Sequence, residues 1–96
     1  MFATVVKMRI DPANAGEFET LFGDFGKKVL EQEPGTLTYV LARSRTEQGC
    51  YRAIEIYESE AAFKAHIAAD AFQAFRPTLV GLLAEPPVGE RLDVVA

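Results

Sequence analysis

Residues 55–66 have the sequence EIYESEAAFKAH, in which a predicted strand is followed by a predicted helix that carries the only histidine of the chain. The residues from Tyr51 to Tyr57 are mostly aromatic, β-branched or small and apolar, which is typical of a half-buried strand. Ser59 is a favourable N-cap, and Glu60 places negative charge in the first helical turn. We therefore expect the helix to begin near Glu60.

The position of the histidine on this helix suggests a role for it. Phe63 and Ile67 repeat at helical spacing, and His66 lies one position beside the stripe that they form. We expect the imidazole at the boundary between core and solvent, where it can reach both a ligand and water. Histidine changes its protonation state near neutral pH and is a candidate base. A single histidine in such a place can equally be a packed or half-exposed ring.

Alternating apolar segments elsewhere in the chain predict three more strands. They are residues 2–10, residues 36–44 and residues 90–95, in addition to the strand that ends at Tyr57. The complete order is strand, helix, strand, strand, helix, short helix, strand. This is the order of a split β-α-β, ferredoxin-like domain, an α+β fold with a four-stranded antiparallel sheet and helices on one face.

Prolines and glycines mark the predicted ends of the helices. The first helix begins between residues 12 and 16 and ends at Glu33-Pro34-Gly35, because a proline excludes the preceding residue from helical geometry and the glycine tolerates the turn. The second helix continues from His66 through Phe75. We expect Pro77 to interrupt it and to begin a short third helix.

The second strand lacks a solvated face. Leu37, Tyr39 and Leu41 share one parity, and Val40 and Ala42 share the other. A sheet covered by helices on one side only would normally present polar residues on its other side. The apolar second face therefore predicts a partner sheet, most simply from another subunit.

The composition limits the kinds of protein that this chain can be. Its 96 residues are enough for one domain, 1–96, and its 49% apolar content argues against disorder. A net charge of −4 provides no basic stripe for nucleic acid or an anionic membrane, and no apolar run is long enough to cross a bilayer. With one cysteine and no signal-peptide pattern, we expect a cytoplasmic protein.

Several segments occur together at characteristic separations. They are residues 33–39 (EPGTLTY), residues 55–66, Phe72 and Phe75. In these features the chain resembles the antibiotic biosynthesis monooxygenase family, and the resemblance covers nearly the whole chain. It implies a homodimer in which two ferredoxin-like sheets pack face to face as a dimeric α+β barrel. The family includes cofactor-independent oxygenases of phenols and quinols, haem-degrading enzymes, a signal-molecule isomerase and proteins without a known activity.

The haem-degrading branch of the family is not matched at its key residues. That branch carries a tryptophan where this sequence has His66 and an iron-binding histidine where it has Arg76, and this chain has no tryptophan. Arginine stays protonated and cannot ligate iron. We therefore expect no haem, no other cofactor and no metal site.

The resemblance to the phenol-oxidising branch implies a cofactor-independent monooxygenase that uses dioxygen and a small phenolic, quinol or polyketide-like aromatic substrate. Such an enzyme needs a base, an aromatic wall and a dry pocket in which the substrate anion can pass an electron to dioxygen. His66 is the expected base, and Glu55 is expected to orient its imidazole. The expected substrate-binding wall consists of Tyr39, Tyr57, Phe63 and Phe72.

Other interpretations stay open at this point. A carboxylate within an apolar strand needs a partner, and Arg52, Arg43 or a residue of a second subunit is a candidate, so Glu55 can equally brace a dimer. Tyr39 and Tyr57 can be core or interface aromatics. The whole protein can also be a dimeric barrel that binds a small apolar ligand without turnover, or an isomerase in which His66 abstracts a proton without oxygen consumption.

Overall fold

A computed structural model describes residues 1–96 and has a four-stranded antiparallel sheet with three α-helices on one face. The elements are β1 (Phe2–Arg9), α1 (Ala15–Gln32), β2 (Thr36–Arg43), β3 (Cys50–Tyr57), α2 (Glu60–Ala68), α3 (Asp70–Leu82) and β4 (Val88–Asp93), with a 3-10 turn at Pro12–Asn14 before α1. The strand order across the sheet is β2-β3-β1-β4. The predicted ferredoxin-like α+β fold is confirmed.

One row of residues crosses all four strands on the face that the helices cover. Thr4 of β1 lies opposite both Glu55 of β3 and Arg91 of β4, and Glu55 lies opposite Tyr39 of β2. Opposite residues of antiparallel strands point to the same side of the sheet. Thr4, Glu55 and Tyr39 are all buried. The row therefore puts one carboxyl group and two hydroxyl groups under the helices.

β2 departs from the predicted alternation because it contains a bulge. Thr36 lies opposite Tyr57 and Thr38 lies opposite Ile56, so Leu37 is an extra residue in this strand. An extra residue reverses the alternation of side chains beyond it. Tyr39 is accordingly buried while Leu37 is 48% exposed. The prediction that Leu37 shares the face of Tyr39 is wrong for this reason.

The helix that carries His66 ends before Pro77, not at it. α2 ends at Ala68, the backbone of the next residue, Ala69, is extended, and Pro77 lies inside α3, so the predicted break at Pro77 is wrong. The Ala69 amide donates to the His66 carbonyl, and the Gln73 side chain donates to the Ile67 carbonyl at 2.6 Å. These bonds satisfy carbonyl groups that the end of α2 leaves free and so stabilise the break.

Aromatic side chains fill the space between the helices and the sheet. α1 contributes three buried phenylalanines, Phe18, Phe22 and Phe25, at helical spacing. Phe22 stacks on Tyr39, with ring centroids 5.4 Å apart, and Phe25 stacks on Phe75 of α3 at 3.9 Å. The other face of the sheet has no helix over it and exposes Val40, Ile54 and Leu92. No helix is long and apolar enough to span a membrane.

Candidate active site

A cavity of about 340 Å³ lies between the helix-covered face of the sheet and helices α2 and α3. Its wall is mostly apolar and includes Phe63, Phe72 and the ring of His66. Tyr39 and Glu55, from the transverse row of the sheet, also line it. A mostly apolar pocket with a few convergent polar groups is the usual form of a small-molecule site.

The imidazole of His66 is held by a carboxyl group from the end of α1. His66 Nδ1 lies 2.7 Å from Glu33 Oε1. A carboxylate can only accept hydrogen bonds, so Nδ1 carries the proton and the lone pair of the neutral ring is at Nε2. Nε2 is buried and has no hydrogen-bond partner in the chain. The arrangement leaves a proton acceptor without a partner beside the cavity.

The turn after α1 explains why Glu33 reaches this place. The Glu33 amide caps the helix by donating to the Val29 carbonyl, and the Thr36 amide donates back to the Glu33 carbonyl at 3.0 Å. The Thr36 hydroxyl also donates to Glu33 Oε1 at 3.1 Å. Between them, Gly35 lets the turn approach α2 closely, because a Cβ atom there would lie 2.8 Å from the Cβ of Ala62. The segment 33–36 is thus fixed against the helix of His66.

His66 is buried, with 1% of its surface exposed, and does not lie at the boundary with solvent as predicted. Four aromatic rings surround it, those of Phe25, Tyr39, Tyr57 and Phe72, with centroids 5.0 to 6.3 Å from the imidazole. Phe72 is the only one of the four that is partly exposed. Because Nε2 is buried, a reacting atom can reach it only after a neighbouring side chain moves.

Glu55 does not orient the imidazole, and the arginine partners predicted for it are not its partners. Its Oε1 accepts hydrogen bonds from Tyr57 at 2.6 Å and from Thr4 at 3.1 Å. Both donors are neutral, and no arginine or lysine pairs with the carboxyl group. Burial raises the pKa of Glu55, although the bonds from Tyr57 and Thr4 and the nearby His66 oppose the rise. Glu55 can therefore hold a proton at a higher pH than an ordinary glutamate.

The four predicted wall residues occupy different positions. Tyr39, Phe63 and Phe72 line the cavity, whereas Tyr57 is fully buried behind Glu55 and contacts Phe63, with ring centroids 5.4 Å apart. Burial raises the pKa of both the Tyr39 and the Tyr57 phenol, and the nearby Glu55 raises both further. Both tyrosines therefore stay protonated at neutral pH and can act only as neutral hydrogen-bonding groups.

Sequence reasoning missed Glu33 and Thr4. The segment containing Glu33 was interpreted only as the end of a helix, and no local pattern indicates that its side chain turns toward a residue 33 positions later. Thr4 gave a weak signal, as a polar residue on the apolar face of β1. A polar residue on a buried face needs a partner, and Glu55 of the neighbouring strand is that partner.

A second concavity, of about 890 Å³, lies between α1 and β2 and is the more open of the two. Tyr39 and Phe22 line both spaces, but His66 and Glu55 line only the smaller one. No group of three or more His, Cys, Asp or Glu side chains is placed to hold a metal ion. His66, with its unpartnered Nε2, and Glu55, with its raised pKa, line only the smaller cavity, so acid–base chemistry is best supported there.

Comparison with known proteins was made by sequence and by fold. Residues 1–78 match the family model described as antibiotic biosynthesis monooxygenase. No curated protein sequence matches the chain. A solved structure of a candidate antibiotic biosynthesis monooxygenase from Caulobacter crescentus is 41% identical, with a TM-score of 0.94 over 99% of this chain and 90% of that chain.

Two more distant structures share the fold. A candidate antibiotic biosynthesis monooxygenase from Nitrosomonas europaea is 19% identical, with a TM-score of 0.91 over 100% of both chains. A conserved protein from Methanosarcina mazei is 21% identical, with a TM-score of 0.89 over 95% of this chain and 89% of that chain. At these identities the similarity shows the fold alone.

Proposed function

The chain belongs to the antibiotic biosynthesis monooxygenase family, and from this premise we propose that it is a cofactor-independent monooxygenase with His66 as its base. The proposed substrates are dioxygen and a small phenolic, quinol or polyketide-like aromatic compound. Proteins of one fold differ in chemistry, so the proposal depends on the residues of the cavity.

The observation that carries the proposal is the state of the His66 ring. Glu33 fixes the proton at Nδ1, and Nε2 has no partner in a buried aromatic setting. A buried polar atom without a partner has a free-energy cost of about 1–3 kcal/mol, which a substrate hydroxyl donating to Nε2 would remove. The same bond would place the substrate proton within reach of the base.

The proposed reaction balances with dioxygen as the only oxidant. His66 takes the proton of the phenol, and the electron-rich anion passes an electron to dioxygen. The two radicals combine through a new carbon–oxygen bond at a ring carbon that bears hydrogen. The O–O bond then breaks, and that carbon loses its hydrogen. One phenol and one dioxygen give one quinone and one water, and His66 returns its proton to the water.

The aromatic walls support this chemistry by keeping water away. Phe63 and Phe72 line the cavity, and Phe25 packs against the imidazole on the side of α1. In a dry site the charge of the substrate anion is poorly solvated, so it transfers an electron more readily than it would in water. Glu55, with its raised pKa, can donate a proton to the departing oxygen and take up the proton that the ring carbon loses, so its own protonation is unchanged over the cycle.

A second candidate function has an observation of its own. An acid and a base beside one cavity, here Glu55 and His66, can move a proton between two atoms of a substrate with no redox step. This arrangement would suit an isomerase that does not consume oxygen. A cavity that only binds an apolar ligand would need neither group.

The proposal includes a homodimer formed by the uncovered face of the sheet. Val40 and Ile54 lie opposite each other on β2 and β3, and they are 47% and 36% exposed. Leu92 of β4 is also exposed on this side. A second copy that covers this face would remove an apolar surface that a monomer would leave in water.

The test is oxygen uptake by the purified protein with a panel of hydroquinones and polycyclic phenols, in the presence of a metal chelator. Three proteins are compared: the parent, His66→Ala, and Lys64→Ala as a control on the same helix, since Lys64 is exposed and pairs only with Glu60. The proposal predicts uptake that falls about a hundredfold or more in His66→Ala and is unchanged in Lys64→Ala. Equal uptake by all three would exclude His66 as the base. Substrate turnover without uptake would support the isomerase.

A further inference from the structure

We propose that the ligand of this cavity carries an anionic group, a carboxylate or a phosphate, which Arg76 and Arg91 bind at the mouth. This inference rests on the proposed function in one respect, because it assigns a substrate class to the same site. It adds that the aromatic compound is an acid, and it fixes which end of the molecule faces His66.

Arg91 is held at the mouth by its place in the sheet. It is opposite Thr4 in the transverse row, two strands away from Glu55, and it lines the cavity. Its guanidinium carbon lies 5.1 Å from the centroid of the Phe63 ring, which is itself part of the cavity wall. A cation over the face of an aromatic ring is attracted by that face. The contact therefore keeps a positive charge beside the wall.

Arg76 reaches the same cavity from the opposite side. It lies on α3, one turn after Phe72 and one turn before Val80, and all three residues line the cavity. Residues four positions apart lie on the same face of a helix. The two arginines therefore line one cavity from two different elements, a helix and an edge strand.

Neither arginine has an acidic partner in the chain. Arg9 pairs with Glu47 and Glu85, and Arg43 pairs with Glu19, whereas Arg76 and Arg91 take part in no salt bridge. Their guanidinium groups are free to accept a ligand anion. Arg45 and Arg52 also form no salt bridge, but neither lines this cavity. Arginine is well suited to bind carboxylate and phosphate groups through two parallel hydrogen bonds.

The two ends of the cavity differ in charge, and this difference would orient the ligand. Apart from Arg76 and Arg91 the cavity is lined by no arginine or lysine, so an anion is attracted to the opening and not to the inner part beside Glu55. Glu90, next to Arg91, also lines the cavity, although its register opposite Val5 places its side chain on the other face of the sheet. Glu55 and Arg91 are two strand spacings apart, roughly 10 Å. A one- or two-ring aromatic acid can span this distance with its hydroxyl group toward His66.

The test is anaerobic calorimetric titration with a matched pair of probes, 6-hydroxy-2-naphthoate and its neutral amide, in which the hydroxyl and the acid or amide group are at opposite ends of two fused rings. We expect the parent to bind the acid about tenfold more tightly than the amide. In Arg76→Gln and in Arg91→Gln, affinity for the acid should fall about tenfold while affinity for the amide is unchanged. Arg45→Gln is the control, because Arg45 is exposed and does not line this cavity.

Equal affinity for the acid and the amide in the parent would overturn the inference. The inference would also be overturned if the acid did not bind at millimolar concentration, or if the arginine variants lost affinity for the acid and the amide equally. Oxygen uptake separates this inference from the proposed function. If the acid binds in an arginine-dependent way but the protein consumes no oxygen with any phenol, the anion site is supported and the proposed monooxygenase is excluded. If the protein consumes oxygen with neutral quinols and binds the acid no more tightly than the amide, the monooxygenase is supported and the anion site is excluded.

Discussion

Replacing Glu33 by alanine should show how strongly the turn after α1 is coupled to His66. Glu33 Oε1 accepts one hydrogen bond from His66 Nδ1 and another from the Thr36 hydroxyl. In Glu33→Ala both donors lose their partner. The imidazole is 1% exposed and Thr36 is 5% exposed, so water cannot easily replace the carboxylate at the imidazole. Glu33 itself is 21% exposed, which allows water partial access from the outside.

These contacts set the loss of stability expected for Glu33→Ala. An unsatisfied buried donor costs about 1–3 kcal/mol, and a typical hydrogen bond contributes about 1 kcal/mol. We expect Glu33→Ala to lower the free energy of unfolding by about 2–4 kcal/mol. The assay is urea denaturation followed by circular dichroism. Glu33→Gln is the matched control, because its amide oxygen can still accept both hydrogen bonds. Its free energy of unfolding should fall by less than half as much as that of Glu33→Ala.

A double-mutant cycle with His66→Leu isolates the contact between Glu33 and His66. Leucine is similar in volume to histidine and has no polar atom, so in that background Glu33→Ala should cost only the bond to Thr36. The coupling energy should then be at least about 1 kcal/mol. An equal cost of Glu33→Ala in both backgrounds would refute the coupling, as would a cost below about 0.5 kcal/mol in the parent.

Three more predictions concern the buried acid, the close turn and the uncovered face. Burial raises the pKa of Glu55, so the folded chain binds this proton more tightly than the unfolded chain, whose carboxyl has a pKa of 4.5. The contribution of Glu55 to the free energy of unfolding should therefore fall as the pH rises above about 4.5, and thermal melts of Glu55→Gln should lack this contribution. Gly35→Ala should lower the free energy of unfolding by about 1–3 kcal/mol, because the added Cβ would clash with the Cβ of Ala62. A second substitution in the same chain, Ala62→Gly, should recover part of this loss. Urea denaturation that shows no recovery would contradict the clash. Val40→Glu should produce a monomer, because a charge within the proposed apolar interface is costly. Light scattering measures the molar mass. The same mass for the variant and the parent would place the dimer contact elsewhere.

The order of the elements was predictable from sequence because it depends on local periodicity. β1 alternates, α1 carries phenylalanines at helical spacing, and Ser59 caps α2 by accepting from the Ala62 amide, as expected. The bulge at Leu37 was not predictable, because the apolar residues of β2 fit an uninterrupted alternation equally well. The position of the break between α2 and α3 depends on the Gln73 side chain, a contact that proline-based reasoning does not include.

The candidate site was predictable in its residues more than in its contacts. His66 and Glu55 were identified from their chemistry, and both line the cavity. Their partners come from distant parts of the chain: Glu33 from the end of α1 and Thr4 from β1. The depth of His66 likewise depends on Phe25 of another helix. Sequence periodicity describes one element at a time and contains no information about which elements supply the neighbours.

The most direct test of the account is the fate of labelled dioxygen in the absence of metal and flavin. A phenol that supports oxygen uptake is incubated with ¹⁸O₂, and the product is reduced at once to the quinol, so that its oxygen does not exchange with water before mass spectrometry. The account predicts one labelled oxygen atom per product molecule, with a rate about a hundredfold or more lower in His66→Ala. Product without label, or labelled product formed equally fast by His66→Ala, would contradict a monooxygenase in which His66 is the base.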